Sequence, residues 1–321
     1  MEGNMSKSND QGRAYEYAWL KTLEAEISKK RKVVVEKNSS FAAVKSAWTN
    51  IEKQLQDKHM LSALSAVNML FDLEPLILEE NGDVLTLKIQ ADDVGKSGDV
   101  RDLLIIRCGI EWEIGLSLKH NHFAVKHSRL SKSLDFGKKW FNIPCSQEYW
   151  AEVTPIFSYL QTEKEKGTKW NELPEKERDA YIPLLNAFIN ELHRSNANCE
   201  NMPAKMVEYL LGQFDFYKVI GISRKRITQI QTFNLRGTLN QSGQNKKPIQ
   251  AIPIAYLPTR IIDICFKPGS TNTVELYLDG GWQFTFRIHN ASTKVETSLK
   301  FDVQIVGVPL NIVYIECRWS Q

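Results

Sequence analysis

The chain has 321 residues, of which 42% are hydrophobic and 25% are charged, as in an ordinary globular protein. No stretch approaches about 18 consecutive apolar residues, and the N-terminal segment is polar, so we expect neither a membrane-spanning helix nor a secretory leader. Five scattered cysteines without a CxxC pair argue against a disulfide framework or a zinc site, and we expect a soluble cytoplasmic protein.

The first predicted element is a helix that begins near Gly12, after a polar tail at 1–10. Tyr15 and Trp19 recur at the spacing that gives a helix one inward-facing apolar stripe. Glu16 lies in the same helix. Its carboxylate could be a surface group paired with a neighbouring cation, or it could be directed at a metal site, and the sequence leaves both interpretations open.

Two further helices and two short strands are predicted before the centre of the chain. Residues 41–54 and 60–78 have helical spacing, and Pro75 limits the second helix because proline lacks a backbone donor. A β-branched run follows the basic cluster at 29–32, and residues 84–89 form a second candidate strand.

Residues 98–120 have the pattern of an antiparallel hairpin. The sequence GDVRDLLIIR leads from two aspartates, Asp99 and Asp102, into an apolar run, and a turn follows near Gly109. In the next segment, WEIGLSLK, apolar residues alternate with others, which is the period of a strand with one buried face. Pairing the two strands about the turn places Asp102 opposite Ser117, with Lys119 one step along on the same face.

A carboxylate and a lysine on adjacent strands suit phosphodiester hydrolysis, because the carboxylate can bind Mg²⁺ and the lysine can orient the attacking water. The hairpin resembles the core of PD-(D/E)XK nucleases, in which an aspartate begins one strand and an acid-x-Lys ends the next. Ser117 stands where that pattern has its acid, so another carboxylate must complete the site. The candidates are Glu16, Glu74, Asp99 and Glu113. Glu16 is preferred because Gly12 and Glu16 match a glycine-x-x-x-glutamate pattern on the first helix of several such nucleases. The alternative is an ordinary hairpin with solvated ends.

Three of the six histidines lie within eight residues directly after the hairpin, at His120, His122 and His127. A histidine metal site is one interpretation, but no cysteine completes a zinc set. We favour a helix over 120–129 beside the active site, whose cationic residues would contact the DNA backbone without distinguishing bases. The residues predicted for this role are Lys126, His127 and Arg129.

The remainder of the chain divides into a helical and a β-rich segment. Residues 146–215 carry three helical patterns, whereas 216–321 holds alternating strands and a hairpin turn at Gly280-Gly281. Residues 217–300 contain 12 Lys/Arg against 4 Asp/Glu, a net charge of +8, which leaves −5 for the rest. This asymmetry predicts a phosphate-binding surface. We therefore expect three parts: a nuclease core (1–145), a helical segment (146–215) and a DNA-recognition part (216–321).

Two patches of cationic and amide side chains in the β-rich part are candidates for base recognition. Arginine can bind the O6 and N7 acceptors of guanine, and Asn or Gln can support neighbouring contacts. The first patch includes Arg224, Arg226, Gln229, Gln231, Asn234 and Arg236. The second includes Arg260, Arg287 and Asn290.

Four blocks of sequence resemble the HaeIII family of type II restriction endonucleases. They are GRAYEYAWL, the region GDVRDLLIIR to WEIGLSLKHNHFAVKHSRLS, VEYLLGQFDFYKVI and TVELYLDGGWQFTFRIHNAS. The resemblance spans nearly the whole chain. It implies a Mg²⁺-dependent enzyme that cuts both strands of double-stranded DNA at the palindrome GGCC. It also implies a cognate methyltransferase that acts on the same site; no direct contact between the two proteins is implied.

The residues and the resemblance together predict a mixed α/β, restriction-endonuclease-like fold with a PD-(D/E)XK core, a helical insertion and a β-rich C-terminal part. Asp102 and Glu16 would bind Mg²⁺, and Lys119 would position the attacking water. Ser117 would stand at the position of the usual acid and would contact the metal through a water ligand. In-line attack would leave a 5′-phosphate and a 3′-hydroxyl. The alternatives are a junction-resolvase type of nuclease on the same core and a non-catalytic DNA-binding protein. Monomer and homodimer both stay open.

Overall fold

The computed structural model of the chain describes residues 2–91, 99–121 and 124–320, with side chains described except at 2–9 and 124–127. The α-helices are α1 (Glu2–Ser28), α2 (Ser39–Asn50), α3 (Lys53–Leu73), α4 (Phe136–Phe141), α5 (Gln147–Glu165), α6 (Ile182–Asn198) and α7 (Met202–Leu211). The strands are β1 (Val33–Val35), β2 (Leu85–Ile89), β3 (Leu103–Arg107), β4 (Trp112–His120), β5 (Ala124–Ser131), β6 (Phe216–Ile222), β7 (Ile227–Phe233), β8 (Ile261–Phe266), β9 (Thr273–Leu278), β10 (Gln283–His289), β11 (Ser298–Gly307) and β12 (Tyr314–Arg318).

Two compact units, each assembled from separate stretches of the chain, make up the structure. The first consists of residues 1–123, 213–255 and 310–321, and its seven-stranded sheet has the order β1-β2-β3-β4-β6-β7-β12. The sheet is mixed, because β4 pairs with β3 antiparallel and with β6 parallel. The predicted hairpin therefore lies in the middle of this sheet, where neighbours on both sides hold its strands.

The helices α1 and α3 pack on one face of this sheet, because its strands alternate apolar side chains toward them. Tyr15 and Trp19 of α1 and Leu70 of α3 join Leu116 and Leu118 of β4 in one buried cluster. The residues that alternate with those leucines on β4 consequently point to the opposite face of the sheet.

The second unit consists of residues 124–212 and 256–309. Its five-stranded sheet has the order β5-β11-β10-β9-β8, and each neighbouring pair is antiparallel. Phe286 and Phe301 of this sheet contact the rings of Trp140 from α4 and Phe188 from α6. An aromatic core therefore joins α4 and α6 to the sheet.

Several predicted elements are confirmed, among them the hairpin at 103–120 and the helices of the segment 146–215. The turn at Gly280 and Gly281 has φ angles of 71° and 91°, a conformation that glycine adopts at little cost. The helix α3 ends at Leu73, two residues before Pro75. The predicted tail at 1–10 is wrong, since α1 begins at Glu2.

Two expectations about chain organisation differ from the structure. The predicted helix over 120–129 is wrong: β4 continues to His120, and β5 runs from Ala124 to Ser131 and pairs with β11. The three consecutive parts do not coincide with the two units, because the β-rich segment 216–321 is divided between them. In the part of the chain that the structure describes, no helix is long and apolar enough to cross a membrane.

Candidate active site

Asp102 precedes β3 and extends its pairing with β4. Its backbone N–H donates to the carbonyl oxygen of Leu116 over 2.8 Å, and its carboxylate accepts a hydrogen bond from the backbone N–H of Leu118 over 2.6 Å. Leu118 lies beyond the last paired residues of the two strands, Leu103 and Leu116. The aspartate side chain therefore satisfies a backbone donor where β3 has ended, and its position is determined by the sheet.

The ammonium of Lys119 lies 2.9 Å from Oδ2 of Asp102. The two side chains are 25% and 23% exposed, so solvent and solutes reach the pair. Burial by itself lowers the pKa of Lys119, but the charge and hydrogen bond of Asp102 and the charge of Glu16 outweigh it, and the pKa lies above its ordinary value. Lys119 is therefore a cation at neutral pH. The predicted register of the hairpin is confirmed, since Leu103 pairs with Leu116 and Asp102 thus lies opposite Ser117.

Ser117 adjoins this pair, and Glu16 acts on its lysine electrostatically. Ser117 is buried, and its Oγ lies 3.5 Å from Oδ2 of Asp102, at the outer limit of a hydrogen bond. Glu16 comes from α1, which packs against β4, and its negative charge helps to raise the pKa of Lys119. Two carboxylates from different elements thus act on one lysine.

Asp99 and Glu113, two of the other candidate carboxylates, are both paired with Arg101. The guanidinium of Arg101 lies 2.7 Å from buried Asp99 and 2.8 Å from Glu113. It also lies 4.0 Å from the centre of the Phe214 ring. A Cβ at Gly115 would come within 2.0 Å of the Arg101 side chain, so glycine is required where the arginine crosses β4. These two carboxylates neutralise an arginine that is structural.

Glu74, the remaining candidate, is fully buried at the end of α3. Its Oε1 accepts hydrogen bonds from the hydroxyl of Tyr217, over 2.6 Å, and from the backbone N–H of Asn240. Burial raises the pKa of Glu74 to about 7, although these hydrogen bonds oppose the shift. Glu74 therefore connects α3 to β6 and to the loop after β7, which is a structural role.

The free energy of unfolding should report this raised pKa. Between its ordinary value of 4.5 and about 7, the folded protein holds a proton on Glu74 that the unfolded chain has released. Stability from this group is therefore present below pH 4.5 and is lost as the pH rises through 7. Relative to wild type, Glu74→Gln should gain up to roughly 3 kcal/mol between pH 4.5 and 8 while it keeps DNA cleavage. Urea denaturation across that range measures the difference, and a pH-independent difference would contradict it.

The histidines do not form a metal site among the described residues. No group of three or more His, Cys, Asp or Glu in 2–91, 99–121 and 124–320 is arranged to hold a metal ion. Nε2 of His120 lies 2.9 Å from Oγ of Ser223, and its ring contacts that of His59. Burial lowers the pKa of His120 to about 4, so this ring is neutral near pH 7. Among the residues predicted to act here, His122 and the side chains of Lys126 and His127 lie outside the described part of the chain.

The turn between β6 and β7 carries exposed arginines at the end of the sheet where Lys119 lies. Oδ1 of Asn121, directly after β4, accepts the backbone N–H of Ser223 over 2.9 Å and so anchors the turn. Because β4 and β6 are parallel, the turn follows the same end of the sheet as Lys119. Arg224 and Arg226 are both exposed on it.

The other residues of the first patch differ in accessibility. Arg236 is exposed, and its Nε donates to the carbonyl oxygen of Gln213 over 2.6 Å. Gln231 and Asn234 are buried. Gln231 donates to Gln229 over 2.7 Å, and Asn234 donates to a backbone carbonyl. The arginines of this patch are therefore more available to a large partner than its buried amides.

The second patch and Arg129 belong to the second unit. Arg260 is exposed, and Arg287 is exposed and lies 2.9 Å from Asp302. Asn290 donates to two carbonyl oxygens of the following loop, so its amide is engaged within the fold. Arg129 donates to the hydroxyl of a serine on β11 over 2.8 Å and stays 41% exposed.

A second lysine near Asp102 is absent from the candidates that the sequence indicated. Lys218 lies on β6 in register with Ser117, and its amine interacts electrostatically with Lys119 and Asp102. The signal that could have revealed it is a lysine within the apolar run FYKVI, because lysine is rarely buried without a compensating partner.

The site combines a carboxylate and a lysine at the joined ends of two strands, a second carboxylate from a helix, and exposed arginines at the same end of the sheet. This arrangement suits phosphodiester hydrolysis. The chain belongs to the HaeIII restriction endonuclease family, whose model matches residues 12–309. Over 317 residues it is 52% identical to the type II restriction enzyme HaeIII of Haemophilus aegyptius, covering 98% of this chain and 99% of that protein.

No solved structure matches the chain. Family membership identifies a type II site-specific deoxyribonuclease, whose substrate is double-stranded DNA. It decides against the junction-resolvase type of nuclease and against the non-catalytic DNA-binding protein.

Proposed function

We propose that this enzyme cleaves both strands of duplex DNA at GGCC, and that Asp102, Lys119, Ser117 and Glu16 form its active site on a PD-(D/E)XK core. The observation that supports the site most directly is the 2.9 Å contact between Lys119 and Asp102 at the adjoining ends of β4 and β3. The proposed target follows from the likeness to the HaeIII enzyme over 98% of the chain.

The chemistry of the donor set fits Mg²⁺. This ion takes oxygen ligands and usually binds through one or two carboxylates, with water and substrate phosphate filling the remaining positions. Asp102 and Glu16, the two carboxylates that act on Lys119, would hold it, and Ser117 would contact it through a water molecule. When bound, the ion supplies stabilisation of the negative charge that develops on the phosphoryl group.

The residues of the chain have separate tasks in this reaction. Asp102 is held by the backbone of β4, so its carboxylate keeps one position while substrate binds. The Lys119 ammonium would orient the attacking water and stabilise the negative charge on the non-bridging phosphate oxygens. The water oxygen forms a bond to phosphorus as the bond from phosphorus to the 3′ oxygen breaks. The attacking water gives up a proton to solvent and the 3′ oxygen takes one up from solvent, so the products are a 3′-hydroxyl and a 5′-phosphate.

Digestion of unmethylated plasmid DNA with Mg²⁺ tests the function. Unmethylated DNA is required because a cognate methyltransferase is expected to modify the same site. Sequencing of the fragment ends should show GGCC at each cut, with 5′-phosphates. Fragment ends without a common sequence would overturn the proposed specificity, and intact DNA would overturn the proposed activity.

Recognition of the target is proposed to use the exposed arginines rather than the buried amides. Phosphate contacts give salt-dependent affinity for any duplex, whereas each bidentate base contact discriminates by about 1–3 kcal/mol. The candidates for base contacts are Arg224, Arg226, Arg236, Arg260 and Arg287, while Lys126, His127 and Arg129 are candidates for phosphate contacts. Gln229, Gln231, Asn234 and Asn290 would support them from within the fold.

Alanine variants should separate the two kinds of contact. At least one variant of the five candidate arginines should lose about 5- to 150-fold in affinity for a GGCC duplex and keep its affinity for a random duplex. Arg129→Ala should weaken both duplexes by a similar factor. Binding titrations on both duplexes, with Ca²⁺ replacing Mg²⁺ to prevent cleavage, measure this. If all five weaken both duplexes equally, the base contacts lie elsewhere, and the segment 146–215 is the next candidate.

A further inference from the structure

Arg226 has a backbone conformation that its residue type disfavours. It is the last residue of the turn at 223–226, which joins β6 to β7, and its φ angle is 51°. In this left-handed region the Cβ atom of an L-residue crowds the carbonyl oxygen that follows it, so glycine or asparagine is the usual occupant. Among the described residues, six other than glycine have a positive φ; three are asparagine, and Arg226 is the one cation.

The turn that imposes this conformation is held at both of its ends. Oδ1 of Asn121 accepts the backbone N–H of Ser223 over 2.9 Å. The carbonyl oxygen of Arg226 accepts the backbone N–H of Trp319 over 3.0 Å, and its N–H donates to the carbonyl oxygen of Ser223 over 3.2 Å. A strained conformation persists where such contacts over-determine it. Because Asn121 directly follows β4, the turn is fixed relative to the strand that carries Lys119.

Neither the turn nor its charge accounts for an arginine at this position. Glycine or asparagine would form the same turn with less strain. Arg224 and Lys225 are exposed on the same turn and have no positive φ, so they already supply cations for phosphates. Among the residues whose side chains are described, none forms a hydrogen bond or ion pair with the guanidinium of Arg226. The position therefore adds an available guanidinium on a preformed backbone.

We propose that Arg226 is the specificity-determining residue of this turn, and that its guanidinium binds the O6 and N7 atoms of one guanine in each half of GGCC. A bidentate contact requires the planar guanidinium at a defined distance and angle from the base edge, whereas a mobile cation is sufficient for a phosphate. A preformed turn lowers the entropy that binding costs. The inference rests on the proposed GGCC target and assigns one of its base contacts to a single arginine.

Arg226→Gly tests the inference, because it removes the guanidinium and the strain together. The melting temperature should rise by roughly 1–3 °C, since glycine adopts a positive φ at little cost. In Ca²⁺, the affinity for a GGCC duplex should fall about 5- to 150-fold, while the affinity for a random duplex should change by less than about three-fold. A purely structural residue would not combine a gain in stability with a loss of recognition. A lower melting temperature would contradict the strain and overturn the proposal.

Two further duplexes distinguish a base contact from a phosphate contact. In one, AGCT replaces the outer G·C pairs of the site, and in the other, GATC replaces the inner pairs. Wild type should bind both less tightly than GGCC. Arg226→Gly should bind GGCC and one of these two duplexes equally, and should still discriminate against the other. An equal loss of affinity on every duplex would assign Arg226 to a phosphate and overturn the proposal.

Glu111→Gly is the matched control for strain, and Lys225→Ala is the matched control for charge. Glu111 also has a φ of 51° and is exposed, but it precedes β4, at the opposite end of that strand from Lys119. Its variant should show a similar rise in melting temperature with unchanged binding to all four duplexes. Lys225→Ala removes a cation from the same turn and should weaken all four by the same factor, less than about three-fold. A loss of recognition in either control equal to that in Arg226→Gly would overturn the proposal.

The wild-type protein separates this inference from the proposed function. If wild type cleaves at GGCC and Arg226→Gly keeps the full preference for GGCC over AGCT and GATC, the role of Arg226 is overturned and the proposed target stands. If wild type binds GGCC no better than a random duplex and cuts without a common sequence, the proposed target fails, and the assignment of Arg226 fails with it.

Discussion

Replacing Lys119 with alanine should reduce the rate of DNA cleavage by about 10³-fold, because it removes the cation that the proposed site places beside the reacting phosphate. The fold should tolerate the change, since the side chain is one-quarter exposed and its main contact is the 2.9 Å pair with Asp102. Affinity for the GGCC duplex in Ca²⁺ should stay within about three-fold, as expected when an interaction formed mainly in the transition state is lost.

Lys88→Ala provides the matched control for this prediction. Lys88 also lies on a strand of the same sheet and pairs with a carboxylate, Glu36, at 3.0 Å. It has no place in the proposed site, so its loss should leave both cleavage and binding unchanged. Single-turnover cleavage of a short GGCC duplex compares the variants directly. Wild-type rates for Lys119→Ala would remove the hairpin from the active site.

Asp102→Asn and Asp99→Asn should have different effects, although the two aspartates are three residues apart. Asparagine at 102 can still accept the backbone N–H of Leu118, so the end of β3 should keep its structure. It loses the negative charge that Mg²⁺ requires, and cleavage should fall by about 10³-fold or more. The protein should stay folded, with little change in the free energy of unfolding.

Asp99→Asn should instead affect stability. Asp99 and Arg101 form a buried pair at 2.7 Å, and breaking such a pair costs about 2–4 kcal/mol when the remaining charge keeps one other partner, here Glu113. Cleavage at a temperature where the variant is folded should stay within about ten-fold of wild type. Urea denaturation and cleavage of the same preparations separate the two effects. If Asp99→Asn were inactive and Asp102→Asn active, the assignment of the catalytic carboxylate would be wrong.

The sequence by itself determined the hairpin, its register and the pairing of Asp102 with Lys119. These features depend on contacts within one short segment, and the two-residue period of a strand leaves a single register that buries Leu116 and Leu118. The family was also evident from the amino-acid sequence of four blocks of the chain, and the match of the family model over residues 12–309 confirms it. The local pattern and the similarity of the sequence blocks can both be recognised without knowing which distant parts of the chain are in contact.

Only the tertiary structure decided which distant residues join that pair. Lys218 comes beside Ser117 because β6 pairs in parallel with β4 after the chain has passed through residues 124–212 of the second unit. The same distance explains the wrong helix after His120: β5 is a strand because it pairs with β11, far along the chain. Local spacing carries no signal of such pairings, since their stability comes from a partner strand and from burial. The burial of Gln231 and Asn234, and the exposure of the arginines near them, were likewise decided by packing that the sequence pattern does not contain.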